Sequence, residues 1–428
     1  MKITERIDKI TRERYVSFRH KSGVKVLIAP NGYSTACAVY CSDYGGSDTK
    51  FRYNGKIYDT PRGIAHFLEH KLFETEDGGD AFKLFTDNGA DSNAFTSQNS
   101  TAFNFTSSTA DFYRCLEILL DFVHHPHFTD ESVDKERGII AEELKMYEDN
   151  PDVRCYYELM KCLYKNCSAR YDVGGTLGSI NEITPDLLYF CHKVFYSPSN
   201  MSLIVSGDID INRLIKIMDG TVPDIRSHRA ETVIPDEPEK VYKRSSVLKM
   251  EVSSPLFSFG VKDVPSPDKK VMRRKAAALS ILLDMIFGES SEFYCELYEK
   301  GLLSGDIETS YSRGDDHAYL SVSGESSKPH TVKRRIIETI EKTIEQGVDD
   351  AEFTRCKKVF YANFVYSLQN SQSAAFSYLT FCREGDDMLK YPALLSSINA
   401  NDAVSYLKQI YNADKCAFTV IKPDNQGG

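Results

Sequence analysis

The sequence predicts an α+β protein built from two related domains. Each half of the 428-residue chain begins with residues that alternate apolar and polar, the pattern of half-buried strands. Stretches of helical period fill most of the remainder. The chain also matches itself without gaps when displaced by 215 positions: Phe195-Tyr196 then meets Ile410-Tyr411, and 202–205 meets 417–420. Strands in a block with helices packed on one face give an α+β sandwich, and a chain this long divides by default into two domains.

Residues 16–30 read as a hairpin with Ser22-Gly23 at its turn, and 36–43 as a further strand. A short helix starts at Thr60-Pro61 and carries the apolar stripe Ile64, Phe67, Leu68 and Leu72. A strand-like stretch spans 102–107, and helices are expected over 109–123, 129–149 and 184–196. Thr129 or Asp130 can cap the second of these, and Asn150-Pro151 ends it. Residues 226–244 are polar and charged with two prolines, as in a linker. Helices over 270–287, 329–346 and 350–370 follow. The expected organisation is a first domain 1–225, a linker 226–244 and a second domain 245–428.

His66-Phe67-Leu68-Glu69-His70 spells H-x-x-E-H, the inverted zinc-peptidase motif. Positions i and i+4 of a helix share a face, so both imidazoles can reach one ion, and the Glu69 carboxylate can reach a water on it. Such a site needs a third protein ligand and one open position. The 129–149 helix carries Glu136, Glu142 and Glu143. Glu136 and Glu143, two turns apart, share a face, whereas Glu142 points about 100° away toward solvent. Without the histidines all three would read as a charged surface. With them, one glutamate faces the metal. At the 215 displacement His66, Glu69 and His70 meet Ile281, Asp284 and Met285, and Glu136 and Glu143 meet Ala351 and Lys358. The second copy therefore lacks the donors.

H-F-L-E-H followed by E-R-x-x-x-x-E-E-L (Glu136 to Leu144) resembles the pitrilysin/insulinase family of zinc peptidases. The tract Gly89-Ala90-Asp91-Ser92-Asn93-Ala94-Phe95-Thr96 is similar to the family's G-x-x-x-N-A-x-T strand, and 195–201 running into 205–208 to the end of its first domain. The chain resembles most the short bacterial members, including those named as elongation factor P aminopentanol modification-associated proteins. The resemblance implies two αβ-roll domains facing a central chamber. It implies one Zn²⁺ held by His66, His70 and Glu143, Glu69 as general base and Glu136 as support for a ligand. It also implies an extended peptide paired with Ser92, Asn93, Ala94 and Phe95. Manganese or cobalt would suit the same donors.

One departure bears on activity. The family uses an arginine and a tyrosine seven residues apart in its second half, where this chain has Tyr298 and Gly305. Arg313 and Tyr319 are wrongly spaced and read as ordinary strand residues. The resemblance then implies a heterodimer with a zinc-lacking sister subunit that carries the pair; a homodimer is the other assembly. The alternative function is a non-catalytic peptide-binding or maturation module with a residual or structural metal site.

The net charge of −10, without a basic patch, argues against nucleic acid. No apolar run reaches membrane-spanning length, and the charged start MKITERIDKITRERY lacks a signal core, so a cytoplasmic location is expected. The eleven cysteines, with no C-x-x-C, read as free thiols. Cys162 and Cys167 are expected to be buried rather than a redox pair. The tract His124-His125-Pro126-His127 reads as a solvated turn. Gly45-Gly46 and Gly174-Gly175 read as turn glycines. Phosphate-loop and G-x-S-x-G signatures are absent.

Overall fold

The computed structural model describes residues 2–8, 11–76, 78–225 and 228–424, so positions 226 and 227 of the expected linker lie outside the described residues. The chain divides into two compact units. The first comprises residues 1–144, 172–233 and 364–391, and the second 145–171, 234–363 and 392–428. Neither unit is contiguous: a helical piece of each half belongs to the unit of the other.

The first unit contains strands β1 (Thr4–Ile7), β2 (Arg14–Arg19), β3 (Lys25–Ala29), β4 (Thr35–Ser42), β5 (Lys50–Tyr53), β6 (Lys56–Asp59), β7 (Asp91–Thr96), β8 (Thr101–Ser108), β9 (Met201–Ser206) and β10 (Glu231–Thr232). Seven of them form a sheet of order β1-β2-β3-β9-β4-β8-β7, and β10-β5-β6 form a small second sheet. The large sheet is antiparallel except between β3 and β9. Its main core joins alternate residues such as Tyr40, Phe103, Phe105 and Leu203 to apolar faces of the helices. The opposite face (Val39, Cys41, Ala102, Ile204) is covered by Ala375, Tyr378, Leu379 and Phe381 of helix Ser371–Arg383.

The second unit holds β11 (Ser245–Met250), β12 (Leu256–Asp263), β13 (Glu308–Arg313), β14 (Ala318–Glu325) and β15 (Cys416–Pro423), in the order β11-β15-β12-β14-β13. This repeats β3-β9-β4-β8-β7, including the single parallel pair. The repeat is not gapless, however. β9 and β15 start 215 apart, but β7 and β13 start 217 apart and β4 and β12 221 apart. Short insertions in loops have moved the register of the match without disturbing strand order. The fold class is as the sequence predicts, with one parallel pair in the seven-stranded and one in the five-stranded sheet, and a helix on the second face, added to it.

Helix α1 (Ile64–Leu72) carries the H-x-x-E-H motif and buries Ile64, Ala65, Phe67, Leu68 and Leu72. Each large side chain removed from water contributes roughly 1.5–3 kcal/mol. The helix begins at Ile64, not at Thr60-Pro61, and Gly63 caps it with φ 90°. A Cβ on Gly63 would lie 2.3 Å from the Gly174 carbonyl oxygen. Backbone contact between these two loops, invisible in local sequence, sets where the helix starts. Helices α2 (Ala81–Asp87) and α3 (Phe112–His124) precede α4 (Asp130–Asp149). In α4, Val133, Ile140 and Leu144 form the buried stripe, which turns Glu136 and Glu143 inward and leaves Glu142 exposed. Thr129 caps α4, its hydroxyl oxygen accepting the Ser132 N–H at 3.1 Å. Asn150 accepts the N–H groups of Asp152 and Val153 and so starts a further helix, α5 (Pro151–Leu163). That helix packs on the sheet of the second unit.

We expect Gly63→Ala to destabilise the protein by about 2–4 kcal/mol, combining left-handed strain with overpacking against a carbonyl. Gly32→Ala, at φ 71° with open space around it, should cost only about 1 kcal/mol. Urea unfolding of both variants checks this; equal losses would remove the role assigned to the Gly63–Gly174 contact.

Candidate metal centre

His66 and His70 stand one turn apart on α1, their ring centroids 4.5 Å apart. Glu143 reaches both from α4: its Oε2 lies 3.7 Å from His66 Nε2 and 3.4 Å from His70 Nε2. These three residues form a group whose donor atoms could hold one metal ion. Donors about 2.0–2.1 Å from a tetrahedral ion stand roughly 3.4 Å from one another, so the observed spacing fits zinc with little adjustment.

The two histidines are held differently. His70 Nδ1 lies 2.9 Å from Glu136 Oε1, the ligand-orienting contact typical of metal-bound imidazoles. The Nδ1 of His66 is buried and finds no hydrogen-bond partner among the described residues. A Cβ added at Gly174 would lie 3.5 Å from it and 2.9 Å from Leu144 Cδ2. Packing against a bare backbone therefore orients this ring. Gly174-Gly175 is a turn, as expected, but one pressed against α1.

Electrostatics divide the pair further. Burial, then the neighbouring His70, lowers the His66 pKa to about 4. Burial also opposes charge on His70, but hydrogen bonds with Glu136 and Glu143 outweigh it and raise the pKa to about 10. Glu69 is 8% exposed, and burial raises its carboxyl pKa against the hydrogen bond from Thr96. Thr96 Oγ1 donates that bond to Glu69 Oε2 at 2.6 Å. Thr96 falls within the strand motif of the sequence, which assigns it no role. Strand alternation was the available signal, since Thr96 falls on the same face as Ser92 and Ala94.

Among the described residues strand β7 lies at the edge of its sheet, paired with β8 alone. Asn93 and Ala94 border a cavity of about 380 Å³ that also touches Glu69, His70, Phe73, Phe82 and Glu136. Ser92 lies on the Thr96 face of the strand, and Phe95 on the opposite face. The Asn93 side-chain oxygen accepts the Ala94 N–H at 2.8 Å.

Tyr298 is exposed on helix Glu292–Glu299 and stacks on Tyr294, and Gly305 lies in the following loop. Arg313 and Tyr319 belong to β13 and β14. All eleven cysteines are free, Cys162 and Cys167 being buried. Within the histidine tract only His124 departs from a solvated turn: α3 ends on it, and it is buried 2.7 Å from the Tyr40 hydroxyl, whereas His125 is exposed. A second group, Cys167, Asp316 and His317, also gathers metal-type donors. Its atoms are closed on one another, with Asp316 2.7 Å from His317 Nδ1 and 3.2 Å from Cys167 Sγ. We read it as a buried hydrogen-bonded cluster. Among the described residues no helix is long and apolar enough to cross a membrane.

Residues 53–176 match the family model described as Insulinase (Peptidase family M16), and 182–360 match Peptidase M16 inactive domain. The uncharacterized zinc protease YmfH of Bacillus subtilis is 32% identical over 94% of this chain and 95% of its own length. A second uncharacterized zinc protease of that organism, YmxG, is 25% identical over 85% of this chain and 88% of its own. The crystal structure of an M16-like peptidase from Alicyclobacillus acidocaldarius superposes with a TM-score of 0.92 at 29% identity, covering 96% of this chain and 99% of that one. The chain belongs to the M16 family of zinc proteases, the insulinase and pitrilysin family.

Proposed function

We propose that this chain is a zinc-dependent endopeptidase acting on extended peptides, with His66, His70 and Glu143 as metal ligands and Glu69 as general base. One observation carries this reading. The three donor atoms stand at ligand spacing, and a buried carboxylate next to His70 is braced by the Thr96 hydroxyl. A purely structural metal would have no use for that carboxylate.

Bound zinc would acidify a water and polarise a peptide carbonyl. Glu69 accepts the water's proton and delivers it to the leaving amine. Its raised pKa suits both tasks, since a carboxyl of ordinary acidity is a poorer proton donor near neutral pH. Thr96 fixes the Glu69 oxygen it bonds, and Glu136 fixes the His70 ring. The exposed edge of β7 around Ser92, Asn93, Ala94 and Phe95 adds the substrate as a strand, reading backbone before side chains.

Tyr298 and Gly305 cannot stabilise an oxyanion as an arginine and a tyrosine would. We infer that a zinc-lacking related subunit supplies that pair, which makes this chain the metal-bearing half of a heterodimer. The eleven free cysteines support a cytoplasmic setting. The absence of the pair also favours a second reading, a peptide-binding or maturation module whose metal does no chemistry.

Glu69→Gln should keep its zinc and lose peptide turnover by about 10²–10⁴-fold; elemental analysis beside a cleavage assay checks both. Biological function that survives this substitution would favour the module. Zinc binding should also release protons. Metal-free His70 carries a proton up to about pH 10 and must lose it to become a ligand, whereas His66, lowered to about 4, is already neutral. Calorimetry at pH 8 in buffers of different ionisation enthalpy should find about one proton released per ion. Apparent affinity should rise about tenfold per pH unit between neutrality and pH 10. Finally, the purified chain should bind zinc yet cleave weakly, and an M16 subunit bearing the arginine–tyrosine pair should restore cleavage. Full activity of the chain alone would refute the heterodimer.

A further inference from the structure

The two sheets share a strand order but not the way they end. In the first unit β3 has β9 on one side and the antiparallel β2 on the other, with β1 beyond. Its counterpart β11, among the described residues, pairs with β15 alone. The second unit thus leaves open an edge that the first covers with two strands. Backbone bonds fix which groups that edge presents. The Phe418 N–H donates to the Arg244 carbonyl oxygen at 3.1 Å, and the Asp424 N–H to that of Met250 at 2.9 Å. Between these bonds the ladder runs in unbroken register from Ser245 opposite Phe418 to Met250 opposite Pro423. Ser246, Leu248 and Met250 therefore turn their backbone groups toward β15, and Ser245, Val247 and Lys249 turn theirs to the open edge. The strand holds neither proline nor glycine, and Val247 at its centre is 54% exposed. Lysine on an edge strand ordinarily discourages pairing, but Lys249 has the Asp424 carboxylate 3.9 Å away to offset its charge. Exposed Lys243 precedes the strand and exposed Glu251 follows it.

We infer that β11 is a self-association edge, which pairs antiparallel with β11 of a second copy of this chain about a two-fold axis at Val247. Antiparallel is the sense in which β2 covers β3, and it is the sense that a two-fold axis generates. With Val247 on the axis, Val247 meets Val247, and Ser245 of each copy meets Lys249 of the other. All of these positions turn their backbone groups outward, so each such pair can exchange both of its N–H and carbonyl bonds. The same register brings Lys243 of each copy to the end that carries Glu251 of the other. An axis at Lys249 would instead set two lysines face to face, which is unfavourable. The two five-stranded sheets then become one continuous sheet. The contact uses the second unit alone and touches neither the metal donors nor β7, so it stands or falls apart from the hydrolytic reading.

Analytical ultracentrifugation of the full chain over about 1–100 μM tests this, with zinc and with chelator. A monomer–dimer equilibrium should appear, with the same dissociation constant in both. Val247→Pro should weaken the dimer by about tenfold or more, since it removes an outward donor while the bonds to β15 remain. Glu251→Lys should weaken it by about tenfold, through two lost attractions replaced by repulsions. Adding Lys243→Glu to Glu251→Lys should restore wild-type association. Circular dichroism of each variant checks that the fold is kept, and the charge exchange decides the matter should Val247→Pro fail to fold. A monomer throughout, a dimer that needs zinc, a dimer undisturbed by a folded Val247→Pro, or a charge exchange without recovery would overturn the edge contact.

Discussion

The meeting of one carboxylate oxygen with two imidazole nitrogens is the interaction on which the rest of the first unit depends. Glu143 comes from α4, whereas His66 and His70 come from α1, and no local sequence rule sets the distance between those helices. The distance follows from several independent contacts. The left-handed Gly63 starts α1 against the Gly174 loop, the stripe Val133, Ile140 and Leu144 turns α4, and Glu136 fastens His70. A ligand set tolerates errors of only about half an ångström, so such redundancy is expected around it. Without an ion the cluster stays electrically coherent, because His70 holds a proton between two carboxylates.

How much of this was legible in the sequence varies with the range of the interaction involved. His66, Glu69 and His70 were readable because their relation is one helical turn. Glu143 was separable from Glu142 by helical phase, and from Glu136 only through the family resemblance. Thr96 was passed over because its role depends on how an edge strand registers against a helix some thirty positions earlier in the chain. The start of α1 was misread for a similar reason, since Gly63 is required by a loop more than a hundred residues away. Asn150-Pro151 was recognised as a break, but a cap followed by a proline at the first turn marks a new helix as readily as an old one's end.

The second unit keeps the strand order of the first without its H-x-x-E-H donors. The strands that flank the motif helix are displaced by 221 and 217, so the counterpart of His66 falls between Leu283 and Phe287 of helix Lys269–Phe287, where Leu283, Ile286 and Phe287 are buried. Where polar ligands are not needed, an apolar side chain packs more favourably than an unliganded imidazole. The duplicated topology persists because strand pairing uses backbone groups, which are indifferent to side-chain replacement.

The traded helices give the half without the H-x-x-E-H motif a reason to persist. Residues 145–171 complete the second unit, and 364–391 complete the first. Ala375, Tyr378, Leu379 and Phe381 roof over Val39, Cys41 and Ile204. A polypeptide severed after the first half would expose that greasy sheet face to water and aggregate rather than function. Once two copies of a strand order are roofed in this way, the copy without the H-x-x-E-H donors can change its side chains but cannot be discarded.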